Sequence, residues 1–154
     1  RWRPIWIKFM GDLTSAASSL PTLYAILQEA KHVPNLYISI FYPGMTVVES
    51  KSNDRSLLHY QYGLKIPYAD IGLKINGFDA KWIERTGQVW DNTLPHSAWN
   101  HTDQPRIVIF ADVYRRLSSL DNVGTTLIHR LLKSTPEANN FKTLLQHSSF
   151  HFKE

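Results

Sequence analysis

The sequence predicts a mainly β domain, a closed or sandwiched antiparallel structure such as a jelly roll, with helices flanking it at both ends. Three observations predict it. Several short runs alternate apolar and polar residues with period two. The dipeptide Asn76-Gly77 divides one of them where a two-residue hairpin turn needs positive φ. Helical spacing returns only near the two ends of the chain. Five or more short strands bracketed by helices point to a sheet folded on itself.

The elements follow in order. Ser19 to His32 reads as a helix, with Pro21 in its first turn and Leu20, Leu23 and Leu27 on one face. Lys31 and His32 suit its negative end, and Pro34 stops it. "LYISIFY" (36–42) then has strand composition and ends at Pro43-Gly44, and "MTVV" resumes the extended chain. In "SLLHYQYGLKI" Leu58, Tyr60, Tyr62, Leu64 and Ile66 alternate with His59, Gln61 and Lys65, giving one apolar and one polar face. "GLKINGFDAKW" is the hairpin. "QVW" and "RIVIFADV" are strands on either side of a polar loop that carries His96, with Arg106 at the start of the second strand. "DNVGTTLIHRLLKS" and "NNFKTLLQH" return to helical spacing through Leu127, Ile128, Leu131 and Leu132.

With 154 residues the chain fits one domain, which buries roughly two-thirds of the unfolded surface. No repeat or linker divides it, so the expected unit is 1–154. No run approaches the ~20 apolar residues of a transmembrane segment, and composition is that of a soluble protein. The formal charge of +4 is mild and dispersed, and no basic stripe points to nucleic acid. The chain lacks cysteine, so it has neither disulfides nor thiolate metal sites, which fits a reducing cytoplasmic compartment. It opens Arg1-Trp2-Arg3 without methionine, which suggests processing and leaves localisation open. Asn100-His101-Thr102 is a glycosylation sequon that matters only in a secreted protein. Edge strands could pair two copies, but nothing marks an oligomer.

"RWRPIWIKFMG", "YISIFYPG", "LLHYQYGLKIP" and above all "QVWDNTLPHSAWNHTDQPRIVIFADV" resemble the aspartyl/asparaginyl β-hydroxylase family. The resemblance runs from about residue 1 to 116 and leaves 117–154 as a helical extension. It implies a cupin-like double-stranded β-helix whose interior holds iron(II) and 2-oxoglutarate, in a family that hydroxylates peptides, lipids and small molecules. His96 matches a metal histidine. Arg106 matches the arginine that pairs with the distal carboxylate of 2-oxoglutarate, a planar anion suited to a guanidinium fork. Ser39 matches a hydroxyl that assists that carboxylate.

The family pattern breaks at "ESKSNDRSLLHYQYGL" (49–64). The first metal histidine falls on Ser50, the arginine near the proximal end of 2-oxoglutarate on His59, and a further histidine on Gln61. One imidazole does not hold iron(II) against water, so Glu49, Asp54 or His59 would have to complete the site. Without such a ligand neither iron(II) nor 2-oxoglutarate is expected as a cofactor. The reading that follows is a divergent enzyme acting on a small molecule that bears a carboxylate. Arg106, Ser39, Gln61 and Trp99 would bind it, and His96 and His59, with Asp91 as a proton shuttle, would run a metal-free isomerisation, cyclisation or elimination in a biosynthetic step. The alternatives are a hydroxylase with a substitute ligand and a non-catalytic binding protein whose pocket is filled.

Each residue also has a plain structural role open to it. Arg106 could pair with Asp103 or Asp112, His59 and Gln61 could be the wet side of a strand, and Asp91 could hold its loop. Trp82, Trp90 and Trp99 could be packing. The Leu/Phe-rich tail, 141–152, could lie on the outer sheet, a partner or a membrane surface.

Overall fold

The computed structural model describes residues 2–115 and 119–147. Ten strands form two antiparallel sheets: β1 (Trp2–Phe9), β2 (Asp12–Leu13), β3 (Asn35–Phe41), β4 (Met45–Ser50), β5 (Leu57–Lys65), β6 (Ile71–Ile75), β7 (Phe78–Ala80), β8 (Gly87–Trp90), β9 (His96–Asn100) and β10 (Arg106–Tyr114). The six-stranded sheet has the order β2-β1-β3-β10-β5-β8, and the four-stranded sheet β4-β9-β6-β7. A 3₁₀ turn, Ser15–Ser19, and helix α1 (Pro21–Glu29) follow β2, and α2 (Ser119–Lys133) and α3 (Pro136–His147) end the described chain.

Helix α1 is shorter than the expected Ser19–His32, because the chain before Pro21 winds as a 3₁₀ turn and Ala30 already leaves helical geometry. Its negative end is met from another element: the buried Lys8 of β1 donates to Leu27 O and Ala30 O at 2.8 and 2.9 Å. Desolvation lowers the pKa of Lys8, and these carbonyls with the field of Asp12 compensate the charge. Asn76 and Gly77 both take positive φ, 50° and 82°, in the β6–β7 hairpin turn. The segment between β8 and β10 departs from the expected loop, since His96 opens a strand paired to both β4 and β6. "HSAWN" lacks apolar alternation because Asn100, fully buried, occupies an inward position that an apolar residue usually fills. Its Nδ2 donates to Phe41 O and Gln104 O, both at 2.9 Å, which ties the sheets together and seals this sequon inside the fold.

The six-stranded sheet has a layer on each face. Ile5, Ile7, Leu36, Ile38, Ile109, Ala111 and Tyr60 pack on one face with Ala16, Ala17 and Leu27 of the N-terminal turn and helix. The other face carries registered rungs: Trp6-Tyr37-Phe110-Gln61-Gln88, and Asn35-Asp112-His59-Trp90. Thus the polar side of β5 points to the other sheet and its apolar side packs on the helix layer. The ring of Trp90 then meets His96 of the four-stranded sheet, with centroids 4.6 Å apart. At the other end of the chain Phe141 packs edge-on against Trp6 and Phe9, so the described part of the tail covers protein surface. Residues 148–152 of the expected 141–152 tail lie outside the described residues, as do 1, 116–118 and 153–154.

Candidate functional site: a buried guanidinium without a counter-ion

Arg106 is 5% exposed at the start of β10, in register with Phe41. Its guanidinium lies 3.8 Å from the ring centroid of Trp82 and 4.7 Å from that of Phe41. Its Nε is buried without an acceptor, and no described carboxylate comes within ion-pair distance. Neither Asp103 nor Asp112 pairs with it, which removes the simplest structural role for the side chain. Desolvation pushes its pKa down to about 9, so it is still charged at neutral pH and pays for burial with two aromatic faces alone.

Two further buried polar groups lie on the same sheet face, each held by a tryptophan. Ser39, also buried, accepts from Trp2 Nε1 at 3.0 Å, which leaves its own proton free to donate. Gln61 Oε1 accepts from Trp82 Nε1 at 2.8 Å. Trp82 comes from the turn before β8, so its ring both stacks on Arg106 and fixes Gln61.

His59 lies farther along the same sheet face. Its Nδ1 is 2.8 Å from Asp112 Oδ1, but the ring N–H does not point along that line and neither atom makes a well-aligned hydrogen bond. Asp112 is anchored through Oδ2 by Asn35 Nδ2 at 2.8 Å. Asp112 also acts on its neighbour: burial first and then its charge push the Tyr37 hydroxyl well above the usual tyrosine range. The ring of Trp90 packs against both His59, at 4.9 Å, and His96, at 4.6 Å, so the two imidazoles flank one indole.

His96 Nδ1 lies 2.9 Å from Leu94 O and can only donate there, which leaves Nε2 bare for a proton or a metal. Ser50, at the expected first metal position, is its direct partner across β4 and β9. Glu49, the next residue along β4, is exposed. Asp54 is occupied elsewhere, accepting from Ser56 N at 2.8 Å and lying 3.6 Å from His129. Among the described residues no three His, Asp or Glu side chains converge as a metal would require. The donor set does not fit iron(II), whereas Arg106 and Ser39 fit a carboxylate.

Two expected site residues lie elsewhere. Asp91 accepts from Thr93 N and Oγ1 and from Arg115 Nη2 at 2.6 Å. Arg115 above all holds its pKa down at about 2, so it has no proton to pass at neutral pH. Trp99 alternates with His96 and Asn100 along β9 and therefore turns outward, where its ring covers Gly72 and its Nε1 donates to Asp70 at 2.7 Å.

Residues 1–116 match the family described as aspartyl/asparaginyl beta-hydroxylase. The chain belongs to this family. A characterised relative is the ornithine lipid ester-linked acyl 2-hydroxylase of Rhizobium tropici, 25% identical over 122 residues, or 77% of this chain. The match spans 43% of that relative's length. Among solved structures, a 2OG-Fe(II) oxygenase family oxidoreductase from Burkholderia pseudomallei aligns with a TM-score of 0.58 at 13% identity, over 75% of this chain and 68% of that one. The cupin domain of Schizosaccharomyces pombe Cnp3 aligns at 0.48 and 10% identity, over 64% and 66%. The two facing sheets are thus the double-stranded β-helix of the hydroxylase family.

Proposed function

We propose that this family member binds a small molecule through a carboxylate on Arg106 and moves a proton on it with its imidazoles, without oxidation at iron. One observation carries the reading: a buried, charged arginine with no counter-ion, beside a serine with a free proton. An unpaired buried cation is costly, so a ligand carboxylate recovers that cost on binding. His59, backed by Asp112, and His96 Nε2 supply acid and base for an isomerisation, cyclisation or elimination. Trp82 must yield part of its contact for the anion to reach the guanidinium face, while the Nη edge needs no such movement.

The test uses 2-oxoglutarate in D₂O with a chelator present. Proton NMR follows exchange at the carbon beside its keto group, a step that needs only a base and a reprotonating acid. Faster exchange with wild type than with R106Q, H59A or H96A supports the reading. A rate equal to that without protein removes its catalytic half, and absence of 2-oxoglutarate and succinate binding removes the carboxylate half as well.

A second reading, a hydroxylase whose iron is completed by Glu49, Asp54 or His59, rests on the free Nε2 of His96. It requires metal-stripped protein to bind iron(II) tightly in calorimetry and H96A to lose that binding. No iron binding by wild type rules it out.

A further inference from the structure

Among the described side chains of helix α2, most apolar residues turn to solvent while several polar ones turn to the protein. Val123, Leu127, Ile128 and Leu131 are 56–71% exposed, whereas Thr125, His129 and Lys133 face a cavity of about 460 Å³. An amphipathic helix ordinarily packs the other way. The cavity is of ligand size; Met10, Pro34, Leu57 and Leu132 give it apolar walls, and one polar cluster lies among them: Ser56 Oγ lies 3.1 Å from His129 Nε2, and Tyr114 OH 3.2 Å from His129 Nδ1.

The charges of the lining do not balance. Its one carboxylate, Asp54, is engaged by Ser56 and His129, while Arg115, Arg130 and Lys133 also line the space. Lys133 pairs with Asp12, and one Nη of Arg115 pairs with Asp91. That leaves Arg115 Nε buried without an acceptor, and Arg130 with no carboxylate in reach among the described residues. The pair Ser56–His129 does not form a hydrolytic triad, because the Ser56 hydroxyl is also within bonding distance of Asp54, which engages the serine and not the far nitrogen of His129.

We propose that the cavity beneath α2 is a second small-molecule site, separate from Arg106, that takes a ligand bearing one phosphate or carboxylate. The anion meets Arg130 and Arg115 Nε, and its polar body meets Thr125 and His129.

The experiment titrates inorganic phosphate and, separately, succinate into R106Q protein, so that the first site is silent, and follows the His129 and Tyr114 resonances by NMR. Saturable shifts with either probe, weakened tenfold or more by adding R130Q and abolished by adding T125L, support the site, and the better probe identifies the head group. T125L adds bulk without removing charge, and circular dichroism checks that each variant is folded. Absence of saturable shifts with both probes, or shifts indifferent to R130Q, overturns the proposal. Because R106Q is the background throughout, the outcome does not depend on the reading of Arg106.

Discussion

The two sheets hold their polar residues in different ways. On the six-stranded sheet Ser39, Gln61, Arg106 and Asp112 are all buried, locked in register by neighbouring strands and backed by the helix layer. On the four-stranded sheet β4 is exposed along nearly its whole length, and the position facing His96 is a small, exposed serine. A change at Arg106 or Ser39 disturbs the packing of the protein, whereas a change along β4 touches little besides solvent. The sheet that shares its scaffold with the core is the one that buries its polar residues.

Replacing Arg106 with methionine is the sharpest probe of that contrast. Truncating a buried charged partner costs roughly 2–5 kcal/mol of binding, so carboxylate affinity should fall by about 30-fold to several thousand-fold in calorimetry. The same change removes an uncompensated buried cation, and urea unfolding of the unliganded protein should show equal or greater stability. A loss of stability together with unchanged anion binding would mean that the stacks on Trp82 and Phe41 are the purpose of the residue.

Asn100 tests a buried polar link between the sheets. Asn100→Ala strands the buried Phe41 carbonyl that its amide now satisfies, and its Oδ1 also holds Thr102. The expected loss is about 2–3 kcal/mol in chemical denaturation. A loss as small as that of an exposed β4 residue would place the junction elsewhere.

Period-two alternation showed which residues of β5 share a face, but it cannot say which face looks into the β-helix, because a sheet covered on both sides buries both. His59 and Gln61 therefore read as the wet side although they face the opposing sheet. Strand β9 escaped the same rule because its inward positions are His96, Ala98 and Asn100. Lys8 as the cap of α1, Trp2 on Ser39, and His129 on Ser56 join residues 19 to 73 positions apart, and no local pattern encodes such pairs. Arg106 and Ser39 were legible only through the family motif. What no motif carried was the absence of any carboxylate beside that arginine.

Gly72 sits under Trp99 on the outer side of the four-stranded sheet, and a Cβ there would come within 2.1 Å of the ring. Gly72→Ala must displace the indole and its bond to Asp70, at about 1–3 kcal/mol in a denaturation curve. Binding at Arg106 should not change, since the indole lies on the far side of β9. A parallel loss of carboxylate affinity would show that the two sheets act as one unit.

The smallest effect belongs to Asp91, which joins the end of β8 to the end of β10 through Arg115. Arg115 first, and the Thr93 bonds after it, lower its carboxyl from 3.8 to about 2, so the folded state binds this proton less readily than the unfolded chain. A depressed carboxyl contributes stability that is fully present above pH 3.8 and is lost as pH falls through about 2. The bridge is partly exposed and screened, which keeps its worth below about 1 kcal/mol. Asp91→Asn should therefore lower stability at neutral pH by up to about 1 kcal/mol and flatten the acid limb, the two profiles converging as pH falls through about 2. A shift in any neutral-pH activity profile on the same substitution would instead return a proton-carrying role to Asp91, and would make this loop part of the site that Arg106 begins.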